Sequence, residues 1–113
     1  ELQALFTEVI KHWDCSVLEG HRGKVAQNAA VKAGASQTPW PTSKHNAMPS
    51  LAVDVAPYPI DWKDRERFYA FVGFVMGVAT MMGITIRVGA DWDGDRDFHD
   101  SSFIDLPHFE LVL

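Results

Sequence analysis

Two short stretches of this chain combine imidazole and carboxylate side chains, His45 in a polar loop and Asp54 and His108 in apolar strands. The first is Ser43-Lys44-His45-Asn46-Ala47-Met48-Pro49-Ser50-Leu51-Ala52-Val53-Asp54, in which Asp54 interrupts the apolar run Leu51-Ala52-Val53 and Val55-Ala56. A carboxylate buried in such a run is costly unless something offsets the cost. A metal ion or an Arg or Lys partner would each do so. The second stretch is Asp105-Leu106-Pro107-His108-Phe109-Glu110-Leu111, where His108 opens an apolar strand. A lone His there reads either as a hydrogen-bonded core residue or as a ligand, and Asp105, three residues earlier across a proline, favours the ligand. A carboxylate fixed beside water at a metal can take its proton and pass it to a leaving amine, as amide hydrolysis requires. Cys15 is the lone cysteine. No disulfide can form within the chain, and a metal site would have to be built from His and carboxylates. Those are the ligands of catalytic zinc, which takes three from the protein and leaves a fourth position open.

Elements that would position these residues can be read from periodicity. Leu2, Leu5, Phe6, Val9, Ile10 and Trp13 recur at helical spacing and predict an amphipathic first helix. A short strand is expected over Ser16 to Gly20, then an Ala-rich helix over Arg22 to Ala33 stopped by Gly34. Gly34 to Ser50, with Pro39, Pro41 and Pro49, is a polar loop, and long ordered loops tend to be functional. A strand over Leu51 to Val55 halts at Pro57 and Pro59, followed by a long helix over Asp64 to Met82, a strand over Ile84 to Val88, a polar loop over Gly89 to Ser102 and a last strand over Pro107 to Val112. Without regular βαβ spacing, this order predicts an α+β domain, one domain over residues 1 to 113, with a mostly antiparallel sheet packed by helices.

Composition excludes several partners. With 113 residues and 47% hydrophobic content the chain can bury one core. A net charge of -5 leaves no basic face to neutralise phosphates, so nucleic acid is not expected as a partner. Phe68 to Ile86 carries no formal charge, with Gly73 and Gly77 at small-xxx-small spacing. Its helical part, Phe68 to Met82, would reach roughly 22 Å, short of the roughly 30 Å hydrocarbon core, so a buried core helix is expected and not a membrane span. Glu1 to Trp13 is charged throughout, and a signal peptide is not expected there. Asp91 to Asp97 alternates acidic residues as a calcium loop does, but the sixth position is Arg96 and the twelfth Ser102, so a solvated acidic loop is expected, with Trp92 or a carboxylate near enough to touch a substrate. His12, His21 and His99 are expected at the surface.

The segments Glu19-Gly20-His21-Arg22, Gln27, Gly34-Ala35-Ser36, Ser43-Lys44-His45, Ala52-Val53-Asp54-Val55 and Asp105 to Leu111 together resemble the D-alanyl-D-alanine carboxypeptidase and L-alanyl-D-glutamate endopeptidase family of zinc peptidases, in its phage endolysin branch. The resemblance runs over residues 16 to 113. It implies the fold that these peptidases share with the hedgehog signalling domain. It also implies His45, Asp54 and His108 as zinc ligands, Asp105 as general base, and Arg22 as the guanidinium that stabilises an oxyanion or holds a substrate carboxylate. The chain departs from the family in a His45 to Asp54 gap longer than in many members and in lacking the usual glycine between them. The implied activity is attack of a zinc-bound water on the peptidoglycan stem peptide, at the L-alanyl-D-glutamate bond. A D-alanyl-D-alanine carboxypeptidase is the alternative within enzymes, and a non-catalytic zinc-containing binding module the alternative outside them. A monomer acting on the bacterial cell wall is expected, synthesis in the cytoplasm of an infected host being one route to it.

Overall fold

A computed structural model describes residues 1–20, 23–34, 36, 40, 44–46, 51–92, 94 and 105–112. Among the described residues the element order is α1 (Leu2–Val9), β1 (Cys15–Glu19), α2 (Lys24–Lys32), the 3-10 turn η1 (Lys44–Asn46), β2 (Ala52–Pro57), α3 (Arg65–Met81), β3 (Ile86–Val88) and β4 (His108–Leu111). The four strands form one sheet in the order β1-β2-β4-β3, and every pairing is antiparallel. The α+β architecture expected from the sequence is therefore present.

Helix α3 begins where the Asp64 side chain accepts a hydrogen bond from the Arg67 N–H, which satisfies one of the donors a helix start leaves open. It ends at Gly83, whose φ of 70° suits a residue without Cβ, with the Ile84 N–H returning to the Ala79 carbonyl and the Gly83 N–H to Thr80. Phe68, Phe71, Val72, Val75 and Ala79 fall on one stripe and are buried, whereas Met81 is 88% exposed. The helix is thus buried on one face only, and no helix among the described residues is long and apolar enough to cross a membrane.

That stripe and Leu5, Phe6 and Val9 of α1 cover one face of the sheet, where Val53, Val55, Val88 and Phe109 are buried. Phe109 meets Phe6 edge-on at 5.2 Å between ring centroids and Phe71 at 6.2 Å. Because strand side chains alternate between faces, Asp54, His108 and Glu110 must project from the opposite face. Strand β2 runs on to Pro57, two residues past the expected end. The reason is local: β4 pairs with β2 only over Ala52 to Asp54, so at Pro57 β2 has a partner on the β1 side alone, where Cys15 stands opposite. A missing N–H costs little there. Strand β3 starts at Ile86, later than expected, because the Ile84 N–H is taken by the end of α3.

Candidate metal centre

Register builds the site. Asp54 of β2 and His108 of β4 are direct cross-strand partners, so their side chains leave the same face of the sheet side by side. Glu19 pairs with Asp54 on the other side after a bulge in β1, which delivers the Gly20 carbonyl to the cluster. His45 comes from η1, anchored where the Leu51 N–H bonds the Lys44 carbonyl and the Leu111 N–H bonds the Leu51 carbonyl. Its neighbour Asn46 donates to Gln27 of α2, which itself donates to Ser36. Both Gln27 and His45 are buried.

Three atoms then converge. His45 Nε2 lies 3.3 Å from His108 Nδ1 and 3.3 Å from Asp54 Oδ1, and His108 Nδ1 lies 3.4 Å from Asp54 Oδ1. Tetrahedral zinc with bonds of about 2.0 to 2.1 Å sets its ligand atoms roughly 3.3 Å apart. The triangle has the size of one face of such a site, and these three residues are the candidate metal group among the described residues.

The outer hydrogen bonds decide which ring nitrogens face inward. His45 Nδ1–H donates to the Gly20 carbonyl at 2.7 Å, and His108 Nε2–H donates to Glu110 Oε1 at 2.8 Å. Both acceptors lack a proton to give, so these nitrogens must carry one. The nitrogens left to face Asp54 are the ones with lone pairs. Two lone pairs and a carboxylate at about 3.3 Å repel unless a cation, a proton or a metal ion, lies among them. The donor set of two imidazoles and one carboxylate suits zinc.

Electrostatics agree with that need. Burial alone would raise the Asp54 carboxyl, but hydrogen bonds from His108 and His45 hold it far below the usual carboxylate range. Burial would lower the His108 imidazole, but hydrogen bonds to Asp54 and Glu110 push it up to about 9. Burial would raise Glu110, but His108, Lys44 and Arg87 bring it down to about 2. The cluster attracts positive charge at its centre.

Asp105 borders the triangle, its Oδ2 4.0 Å from His108 Nδ1 and its side chain 25% exposed. The turn that holds it is tied at both ends, since the Asp105 N–H bonds the Gly89 carbonyl and the His108 N–H bonds the Asp105 carbonyl. Gly89 lies flat against this turn. A Cβ there would run into the Asp105 carbonyl oxygen and come within 2.9 Å of the His108 Cβ. The Trp92 ring lies 5.0 Å from the His108 ring, with the Arg87 guanidinium 5.8 Å from the Trp92 ring centroid.

Of the five site residues expected from the sequence, His45, Asp54, His108 and Asp105 are brought together; Arg22 falls outside the described residues, as do His21 and His99. Asp91 departs from the solvated loop expected of it, being only 1% exposed beside a bridge from its own residue to Val88. Asp93 and residues 95 to 102 lie outside the described residues. Sequence patterns alone assign no role to Glu110 or Gly89. Glu110 had a signal, since it stands two residues after His108 in a strand and so shares its face. Gly89 had none, because its value lies in a contact with residues far along the chain.

A family model described as phage L-alanyl-D-glutamate peptidase matches residues 1–112. The L-alanyl-D-glutamate peptidase of Escherichia phage T5 is 35% identical over 106 residues, which is 88% of this chain and 77% of that protein. The crystal structure of the L-Ala D-Glu endopeptidase ChiX of Serratia marcescens matches with a TM-score of 0.72 at 28% identity, over 98% of this chain and 77% of that one. With residues 1–112 matched by that family model, the chain belongs to the phage L-alanyl-D-glutamate peptidase family.

Proposed function

We propose that residues 1 to 113 act as one zinc peptidase domain that hydrolyses the L-alanyl-D-glutamate bond of the peptidoglycan stem peptide, working as a monomer on the bacterial cell wall. The observation that carries the reading is the triangle of His45 Nε2, Asp54 Oδ1 and His108 Nδ1, of a size to seat one zinc ion, in a chain of this peptidase family. Zinc, when bound, supplies Lewis acidity that brings the ionisation of water down to a pKa of about 7.

The rest of the chemistry falls to side chains of this chain. Asp105, at the edge of the triangle and open to solvent, takes the proton of the attacking water. It then gives that proton to the departing amide nitrogen, so that L-alanine leaves with a new carboxylate and D-glutamate with a free amine. Arg22, two residues after Gly20 in the sequence, is the guanidinium assigned to the oxyanion. Selectivity for an internal peptide bond is assigned to the polar stretches Gly34 to Ser50 and Asp91 to Ser102.

Mass spectrometry of muropeptides after digestion by the zinc-loaded protein tests the reading. Glycan fragments ending in L-alanine, with free peptides beginning at D-glutamate, are expected. Free D-alanine from stems otherwise intact would transfer the chain to the carboxypeptidases, and stoichiometric zinc without cleavage would make it a binding module.

A further inference from the structure

Histidine ligands need an outer partner, and this site supplies its two in different ways. His45 is held by a backbone carbonyl, that of Gly20. His108 is held by the Glu110 carboxylate, a side chain that also has two cations against it. Glu110 is 4% exposed, and its two oxygens have separate partners. Oε1 accepts from His108 Nε2–H at 2.8 Å, while Oε2 accepts from Arg87 at 2.8 and 3.2 Å and lies 3.1 Å from Lys44 Nζ. Lys44 also donates to the Leu111 carbonyl, and it directly precedes His45 in η1. The cross-strand partner on the β2 side is Ala52, whose small side chain leaves room for this cluster.

We propose that Glu110 is a positioning residue that sets zinc affinity by fixing both histidine ligands at once, His108 through its Nε2–H and His45 through the Lys44 end of its turn. The inference rests on the zinc site proposed above. The tautomer argument is steric and electrostatic. Were His108 to carry its proton on Nδ1 alone, an Nε2 lone pair would face a carboxylate oxygen at 2.8 Å, and no proton would lie between them. Glu110 therefore forces the proton to Nε2 and leaves the Nδ1 lone pair on the inner side. Arg87 and Lys44 offset the cost of burying that carboxylate, which would otherwise be several kcal/mol. Lys44 in addition ties the turn that carries His45 to the strand that carries His108, so the carboxylate joins ligand-bearing elements 63 residues apart in sequence.

The test is zinc affinity by competition with a chromophoric chelator, on wild type, Glu110→Gln, Glu110→Ala and Lys44→Met. Partners of this kind contribute about 10-fold to 100-fold to metal affinity. Glu110→Ala is expected near the upper end, Glu110→Gln near the lower end because its amide oxygen still accepts from His108, and Lys44→Met weaker than wild type through His45 alone. Nitrogen-15 spectra of the ring give a readout that a merely structural role would not move: a His108 Nε2–H protected from solvent exchange in wild type and in Glu110→Gln, exposed to it in Glu110→Ala. If wild type binds one zinc and the two Glu110 variants bind it within about twofold, the inference fails while the zinc site stands. If wild type takes up no zinc, the site itself fails and this inference with it. Should Glu110→Ala not fold, Glu110→Gln and Lys44→Met decide alone, and unchanged affinity in both overturns the proposal.

Discussion

On the helix side of β2 and β4, Val53, Val55 and Phe109 are packed among Phe6, Phe71 and Val75. One residue along on the same strands, Asp54, His108 and Glu110 meet imidazole, carboxylate, ammonium and guanidinium. Both faces are buried, yet they are held by different physics. Apolar burial is non-directional and roughly proportional to area, so the helix face tolerates any side chains that fill its volume. The other face is held by contacts that work only at set distances and in one tautomer. A single register serves both, because a slip of one residue would turn Asp54 and His108 into the core and Val53 and Phe109 into the site.

The sharpest way to break this contrast is to delete a side chain on each face. Asp54→Ala is expected to reduce bound zinc from one per chain to none measurable at micromolar protein, by elemental analysis after desalting, while circular dichroism shows the fold kept. Removing the carboxylate leaves two neutral imidazoles, which hold zinc far more weakly than three ligands do. Stoichiometric zinc in this variant would show that the triangle is not the metal site. Next in size is Asp105→Asn, which keeps zinc and fold but lowers kcat/KM by about 100-fold to 10,000-fold, since an amide cannot accept the water's proton. Unchanged turnover would move the general base to another group.

Phe109→Ala tests the other face. Phe109 is fully buried between Phe6 and Phe71, and its truncation is expected to cost about 3 to 5 kcal/mol of stability, read from urea denaturation. Zinc stoichiometry of the folded fraction should remain one. A variant that keeps its stability but loses zinc would mean that the two faces are not separable.

How far the sequence foretold this division follows from what each face is made of. The helix face was legible, because its parts repeat with the period of their element: Phe68, Phe71, Val72 and Val75 on α3 can be recognised before any partner is known. Asp54 and His108 were legible for the opposite reason, as polar residues out of place among apolar ones, and His45 and Asp105 as members of ordered family motifs. Glu110 showed only that it shares a face with His108, and its role stayed hidden because a Glu in a strand reads as a solvated residue until Arg87 and Lys44 are seen to close over it. Gly89 was illegible too, because its contact with Asp105 and His108 is made across the sheet. Element ends were misplaced where hydrogen bonding decided them, as at Pro57 and Ile84.

The smallest effect separates the faces by pH, because only one of them carries titrating groups. In the metal-free protein the proton takes the place of the cation that the triangle needs. His108 is raised from 6.5 to about 9, so the stability it contributes is complete below pH 6.5 and is lost as pH rises from there through 9. Asp54 and Glu110 are depressed, Glu110 from 4.5 to about 2, so their contribution is complete above about pH 4.5 and is lost as pH falls below it. Metal-free stability should therefore peak between about pH 4.5 and 6.5. The fall to pH 9 is expected to be on the order of 3 kcal/mol at most, because each pH unit between the two His108 values is worth about 1.36 kcal/mol. Zinc competes with the same proton, so its affinity should increase as pH rises over that interval, by up to about tenfold per pH unit. The loaded protein should then show little of the alkaline loss. Urea denaturation at pH 6, 7.5 and 9, with a chelator and with saturating zinc, measures both slopes. A metal-free protein equally stable at pH 6 and 9 would mean that no proton holds the triangle together. Parallel losses in the loaded and metal-free forms would place the titrating group outside it.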